Sequence, residues 1–154
     1  MTDGLRAELE HTAAPVTELR RHREALSAPP LTCSRTFPAT PAQTRQARRF
    51  LAAILDGSPA ADDAVLCLSE LVTNATIHSN SREPGGTFTV TAQVSTGRLR
   101  VEVRDQGGPW TRPVRNRNGI HGRGLLIVAR LARDWGRAGD PGTGWRVWFE
   151  MDCP

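Results

Sequence analysis

Glu70 and Asn74 stand four residues apart in the stretch DDAVLCLSELVTNATIHS, Asp62 to Ser79. On a helix they point the same way, one turn from each other, and Cys67 and His78 extend the stripe in both directions. A carboxylate and an amide so placed can meet a hydrated divalent cation whose remaining ligands are waters and anionic oxygens. The same pair also suits a solvated helix face. Asp105 follows an alternating apolar run, where a carboxylate can accept a hydrogen bond from an exocyclic amine. Gly122-Arg123-Gly124 precedes a second helical pattern, and backbone N–H groups at a glycine-rich helix start receive phosphates. Singly, an Asp-x-Gly after a strand is an ordinary turn and a Gly-x-Gly before a helix an ordinary structural device. The chain has no lysine, which excludes a Walker P-loop.

The elements that must position these residues follow from periodicity. At about 100° per residue, Val65, Leu68, Leu71, Val72 and Ala75 share one arc, so 62–79 is a helix with a core face opposite Glu70 and Asn74. Before it, Thr40-Pro41-Ala42-Gln43 has the form of a capping box with proline at the first helical position. Ala47, Phe50, Leu51, Ile54 and Leu55 then recur at helical spacing until Asp56-Gly57, and Ser58-Pro59 is expected to cap the next helix. Leu31 to Phe37 is an expected edge strand ending at Pro38. Phe88, Val90, Ala92 and Val94 alternate in one strand, Leu99, Val101 and Val103 in the next, with Ser95-Thr96-Gly97 as the hairpin. Residues 106–121 have no periodicity and are expected to form a functional loop. The helix after it is expected to face the core with Leu125, Val128, Ala129, Ala132 and Trp135. Residues 136–144 return the chain to a last strand carrying Trp145, Val147, Phe149 and Met151. One-sided strands and one-sided helices imply an α+β fold of two layers, a mixed, mostly antiparallel sheet covered on one face by about three helices.

Composition bounds the rest. The 154 residues fit one domain, expected over 31–154, with 1–30 as a tail or docking segment that SAPP at 27–30 sets apart. No apolar run approaches about 18 residues and no secretory leader is evident, so a cytoplasmic protein without a membrane partner is expected. Cys33, Cys67 and Cys153 lack metal-ligand spacing and suit free thiols. The net charge of +4 is spread along the chain, and no direct nucleic-acid partner is expected.

In order and spacing together, SELVTNATIHS, VRDQGG, GRGLLIVARLA and PGTGWRVWFE resemble the Bergerat-fold ATPases, the group shared by sensor histidine kinases, gyrase-type topoisomerases and Hsp90. Within it the chain is most similar to the small serine/threonine-protein kinases that act as bacterial anti-sigma factors, over residues 31–152. The resemblance implies that ATP and Mg²⁺ are the cofactors, with Asn74 coordinating the metal and Glu70 as general base toward a partner's hydroxyl. It implies that Asp105 reads the adenine amine and Gly107 lets the backbone approach the base. Gly122, Arg123, Gly124 and Leu125 would flank the phosphates, the 106–121 loop would be a short lid, and Thr143 would contact adenine. His78 recurs in the first motif with a packing role. Arg112, Arg115, Arg117 and Arg123 suit either phosphate neutralisation or solvent. The implied partners are a sigma factor and an anti-sigma factor antagonist, with a homodimer as a further expectation. The alternative within the resemblance is a non-catalytic module that binds ATP and selects partners by nucleotide state.

Overall fold

In the computed structural model the described residues are 29–109 and 124–154. The expectations for the tail, for most of the lid and for Gly122 and Arg123 fall outside them. The described chain runs β1 (Leu31–Pro38), α1 (Pro41–Ile54), α2 (Ala61–His78), a 3₁₀ turn (Asn80–Arg82), β2 (Thr87–Ser95), β3 (Gly97–Arg104), α3 (Gly124–Leu131), β4 (Asp134–Asp140) and β5 (Gly144–Cys153).

The strands form one sheet in the order β1-β2-β3-β5-β4, and each neighbouring pair is antiparallel. Where a mixed sheet was expected, the described strands include no parallel pair. Alternation decides the faces. Phe88, Val90, Ala92, Leu99, Val101, Val103, Val147, Phe149 and Met151 turn inward and meet Ala47 and Leu51 of α1, Leu68, Leu71 and Val72 of α2 and Val128 of α3 in one core. Phe37 closes the edge at β1, stacked 5.5 Å from Phe88 and edge-on to Phe50 at 5.9 Å. Ser95 pairs with Arg98 across Thr96-Gly97, and Gly97 at φ 73° supplies the left-handed residue of this two-residue turn.

Several local expectations are corrected. Thr40 is the N-cap of α1 with Pro41 following, yet its side chain makes no capping bond, so the box is present in sequence only. Ala60, in helical conformation, is the N-cap of α2, while Ser58 accepts from the Ala60 N–H through its hydroxyl and shapes the turn instead. The acids Asp62 and Asp63 complement the helix dipole there. α3 ends at Leu131, which puts Trp135 in β4, 37% exposed, and leaves Ala129 exposed. Of residues 136–144, expected as a return segment, 136–140 belong to the edge strand β4.

Candidate functional site

The stripe on α2 is only partly open to solvent: Glu70, Asn74 and His78 are half-buried. Cys67 is fully buried, and the Glu70 carboxylate lies against Gly124 at the start of α3: a Cβ there would sit 2.5 Å from Oε2. α3 therefore packs along the face the sequence pattern had marked as polar, which explains why Ala64 and Cys67 join the core while Val65 is only half-buried. Burial, with Asp63 and Glu70 on the same face, pushes the Cys67 thiol up to about 11, so it is a packed, unreactive group. Asn74, half-buried one turn beyond Glu70, makes no side-chain hydrogen bond among the described residues, and Glu70 makes no ion pair among them. His78, half-buried, closes the helix.

Asp105 is 7% exposed. Its Oδ1 accepts from the backbone N–H of Gly107 at 2.7 Å and of Trp145 at 3.0 Å, and neither bond uses Oδ2. Desolvation raises its pKa above the usual carboxylate value, and the two N–H donors oppose that rise. Gly107 and Gly108 both have positive φ, 83° and 92°. A side chain at Gly107 would strike the Pro141 carbonyl, and one at Gly108 would strike the Asn80 amide, so only glycine lets the loop pass here.

Two clamps hold this loop, and neither was visible as a motif. On the α2 side, Ser79 donates to the Ala75 carbonyl at 2.6 Å and accepts from the Ser81 N–H. Ser81, fully buried, donates to the Thr87 carbonyl and accepts from the Gln106 N–H at 3.0 Å, while the Asn80 N–H donates to the Gly107 carbonyl at 2.8 Å. On the other side the Gly108 N–H donates to the Pro141 carbonyl, and the Trp145 indole N–H donates to the Gly108 carbonyl at 2.9 Å. The Arg137 guanidinium lies 4.4 Å from the Trp145 ring centre. Trp145 was placed only as a core strand residue. Serines and a tryptophan acting through one or two hydrogen bonds each leave no periodic signal.

The structure brings Glu70 against Gly124, with Asn74 one turn further along α2, and sets Asp105 and Gly107 in a hydrogen-bonded loop. Leu125 follows Gly124 in the first turn of α3, half-buried. Thr143 lines a cleft with Asp105 but does not bond it: its hydroxyl donates to Asp140 Oδ2 at 2.7 Å in the β4–β5 turn, and the Trp145 N–H bonds Asp105. These bonds, with the Gly142 and Thr143 N–H groups on Oδ1, hold the Asp140 carboxyl below its usual value.

The residues fit a nucleotide with its metal. Among the described residues Asp105 Oδ2 and the Asn74 amide make no hydrogen bond, and glycines 107 and 108 carry the backbone past Asp105 where a side chain would clash with Pro141 or Asn80. No cluster of three or more His, Cys, Asp or Glu able to hold a metal exists among the described residues. That donor set suits Mg²⁺, which keeps waters and phosphate oxygens, and not a protein-caged ion.

The sequence model of the histidine kinase-like ATPase domain matches residues 37–149. The chain belongs to this family. As a histidine kinase-like ATPase domain it is an ATP-binding unit, and the match runs from Phe37 at the sheet edge to Phe149 in β5. Among solved structures, the RsbU and RsbW domains of Rv1364c from Mycobacterium tuberculosis are similar at 23% identity and a TM-score of 0.56. The match covers 82% of this chain and 32% of that one, so this chain spans about a third of it. That likeness shows the fold. The histidine kinase domain of the Erythrobacter litoralis EL346 blue-light activated histidine kinase matches at 21% identity and a TM-score of 0.48, over 94% of this chain and 84% of that one. No curated protein matches the chain. No described helix is long and apolar enough to cross a membrane.

Proposed function

We propose that this histidine kinase-like ATPase domain is a serine/threonine-protein kinase that acts as an anti-sigma factor in a partner-switching circuit, transferring phosphate from ATP to a serine on an antagonist protein. The observation that carries the reading is the Glu70 carboxylate at the N-terminus of α3, beside Gly124, with the uncommitted Asn74 amide one turn away. An RsbW domain in the similar mycobacterial structure supports the anti-sigma assignment.

In this reading Asp105 accepts the adenine amine through Oδ2, because Oδ1 is already committed to Gly107 and Trp145. Gly107 and Gly108 let the backbone lie against the base. Gly124 and Leu125 supply the helix start on which the phosphates rest, and Gly122 and Arg123, next to them in sequence, are assigned to the same phosphates. Asn74 would hold Mg²⁺ through its side-chain oxygen. The bound metal would neutralise phosphate charge as the terminal group transfers. Glu70 takes the proton from the attacking serine hydroxyl, which leaves an alkoxide-like oxygen to bond the terminal phosphorus as the bond to the leaving diphosphate breaks. Positioning and charge neutralisation supply most of the acceleration. The implied partners are the antagonist and a sigma factor.

The test is transfer of labelled phosphate from ATP to a serine-bearing antagonist, with Glu70→Gln as the comparison. The reading expects transfer by the native chain and its loss in a variant that still binds ATP. ATP binding with no transfer by the native chain would instead establish a nucleotide-dependent switch.

A further inference from the structure

Arg104 on β3 and Arg146 on β5 are direct cross-strand partners, both exposed, on the sheet face that the helices leave uncovered. Like charges opposed across a ladder are unfavourable. Elsewhere the same face neutralises its arginines: Glu150 lies 3.7 Å from Arg98 and 2.9 Å from Arg100, whose guanidinium also sits 4.0 Å from the Trp148 ring centre. Arg104 and Arg146 have no such partner among the described residues, although Glu102 shares their face two residues along β3. The Arg104 guanidinium is instead held by the Thr143 carbonyl at 3.3 Å. There it borders a cleft of about 310 Å³ lined by Thr87, Thr89, Gln106 and Thr143, with Phe88 and Asp105. Gln106 accepts from the Thr87 N–H through its oxygen, which leaves its NH₂ group as a donor toward a ligand.

We propose that this arginine pair and its cleft form a docking site for an acidic segment of a partner protein. Two uncompensated guanidiniums set at strand spacing match a pair of carboxylates, each able to take a forked hydrogen bond. The Thr87 hydroxyl and the Gln106 amide suit the backbone of an extended peptide. Nucleic acid fits less well, because a phosphate backbone needs a continuous track of free cations and Glu150 interrupts this one at Arg98 and Arg100. The arginine pair lies on the sheet face opposite Glu70 and Asn74, and the cleft beside it also borders Asp105.

The test is fluorescence anisotropy of a labelled peptide of about ten residues rich in Asp and Glu, titrated with the full chain at physiological salt. Arg104→Gln/Arg146→Gln is compared with Arg98→Gln/Arg133→Gln, which removes the same charge from arginines that already have carboxylate partners. The expected result is single-site binding weakened about tenfold or more in the first variant and little changed in the second. The first variant also melts no lower than the native chain, because it relieves the opposed charges. Arg146→Gln alone, a change at one exposed position, gives the same ordering should the pair fail to fold. Absence of peptide binding, equal weakening in both double variants, or tighter binding of a single-stranded oligonucleotide than of the peptide overturns the proposal.

Discussion

Asp105 shows how one side chain can serve structure and ligand with different atoms. Its Oδ1 ties together Gly107 and Trp145, and Oδ2 has no hydrogen-bond partner among the described residues. Burial raises its folded-state pKa, so the folded chain holds its proton to higher pH than the unfolded chain does. Stability from this group therefore falls as pH rises from the unfolded carboxylate value through the raised folded value. Asn at 105 can still accept both N–H bonds, and it carries no charge to desolvate. Asp105→Asn is expected to melt at or above the native temperature near neutral pH, with the difference shrinking as pH falls through the carboxylate range. The same variant is expected to weaken ATP binding roughly 10- to 100-fold, the scale of one charged hydrogen bond. Thermal melts across pH and ATP titration separate the two effects. Gly124→Ala is the companion case. Its new methyl displaces the Glu70 carboxylate, and transfer is expected to slow on the order of 10- to 100-fold while the melting temperature changes little. Glu70, Asn74, Asp105 and Gly107 stand out in the sequence because their types and order form spaced motifs. Ser79, Ser81 and Trp145, which aim that constellation, were not, since each acts through one or two hydrogen bonds set by tertiary placement.

Among the elements, α2 was the most legible, because its apolar period fixes both its extent and its core face. What periodicity could not show is a second packed face: Gly124 at the start of α3 lies against Glu70, and Cys67 on the same side of α2 is fully buried. Leu68, fully buried beneath both layers, is expected to cost about 2–5 kcal/mol when replaced by alanine, read from chemical unfolding. β4 was missed for a physical reason. Its sequence DWGRAGD has two glycines and no apolar alternation, and its one paired side is set by β5. The β4–β5 pair nonetheless delivers Trp145 to Gly108. Trp145→Phe keeps an aromatic ring and loses the indole donor. It is expected to loosen the 105–108 loop and raise the Kd for ATP several-fold, about 1 kcal/mol for one neutral hydrogen bond, with the fold intact. Calorimetric titration of that variant checks it.

At the scale of the molecule, one antiparallel sheet with helices on a single face puts the candidate site at the ends of β3 and α2, between elements that share the core. The two-layer class was legible because each strand alternates and each helix has one apolar side. The strict antiparallel order was not, since it depends on how β4 and β5 add beside β3. The family match over residues 37–149 spans β1 to β5, so the ATP-binding assignment belongs to the sheet and helices together. The measurement that bears most directly on it is calorimetric titration of the chain with ATP, with and without Mg²⁺, repeated with Asp105→Asn. Magnesium-dependent binding by the native chain, weakened in a variant that remains folded, is the predicted result. No heat from the folded native chain, or equal binding by Asp105→Asn, would contradict the account.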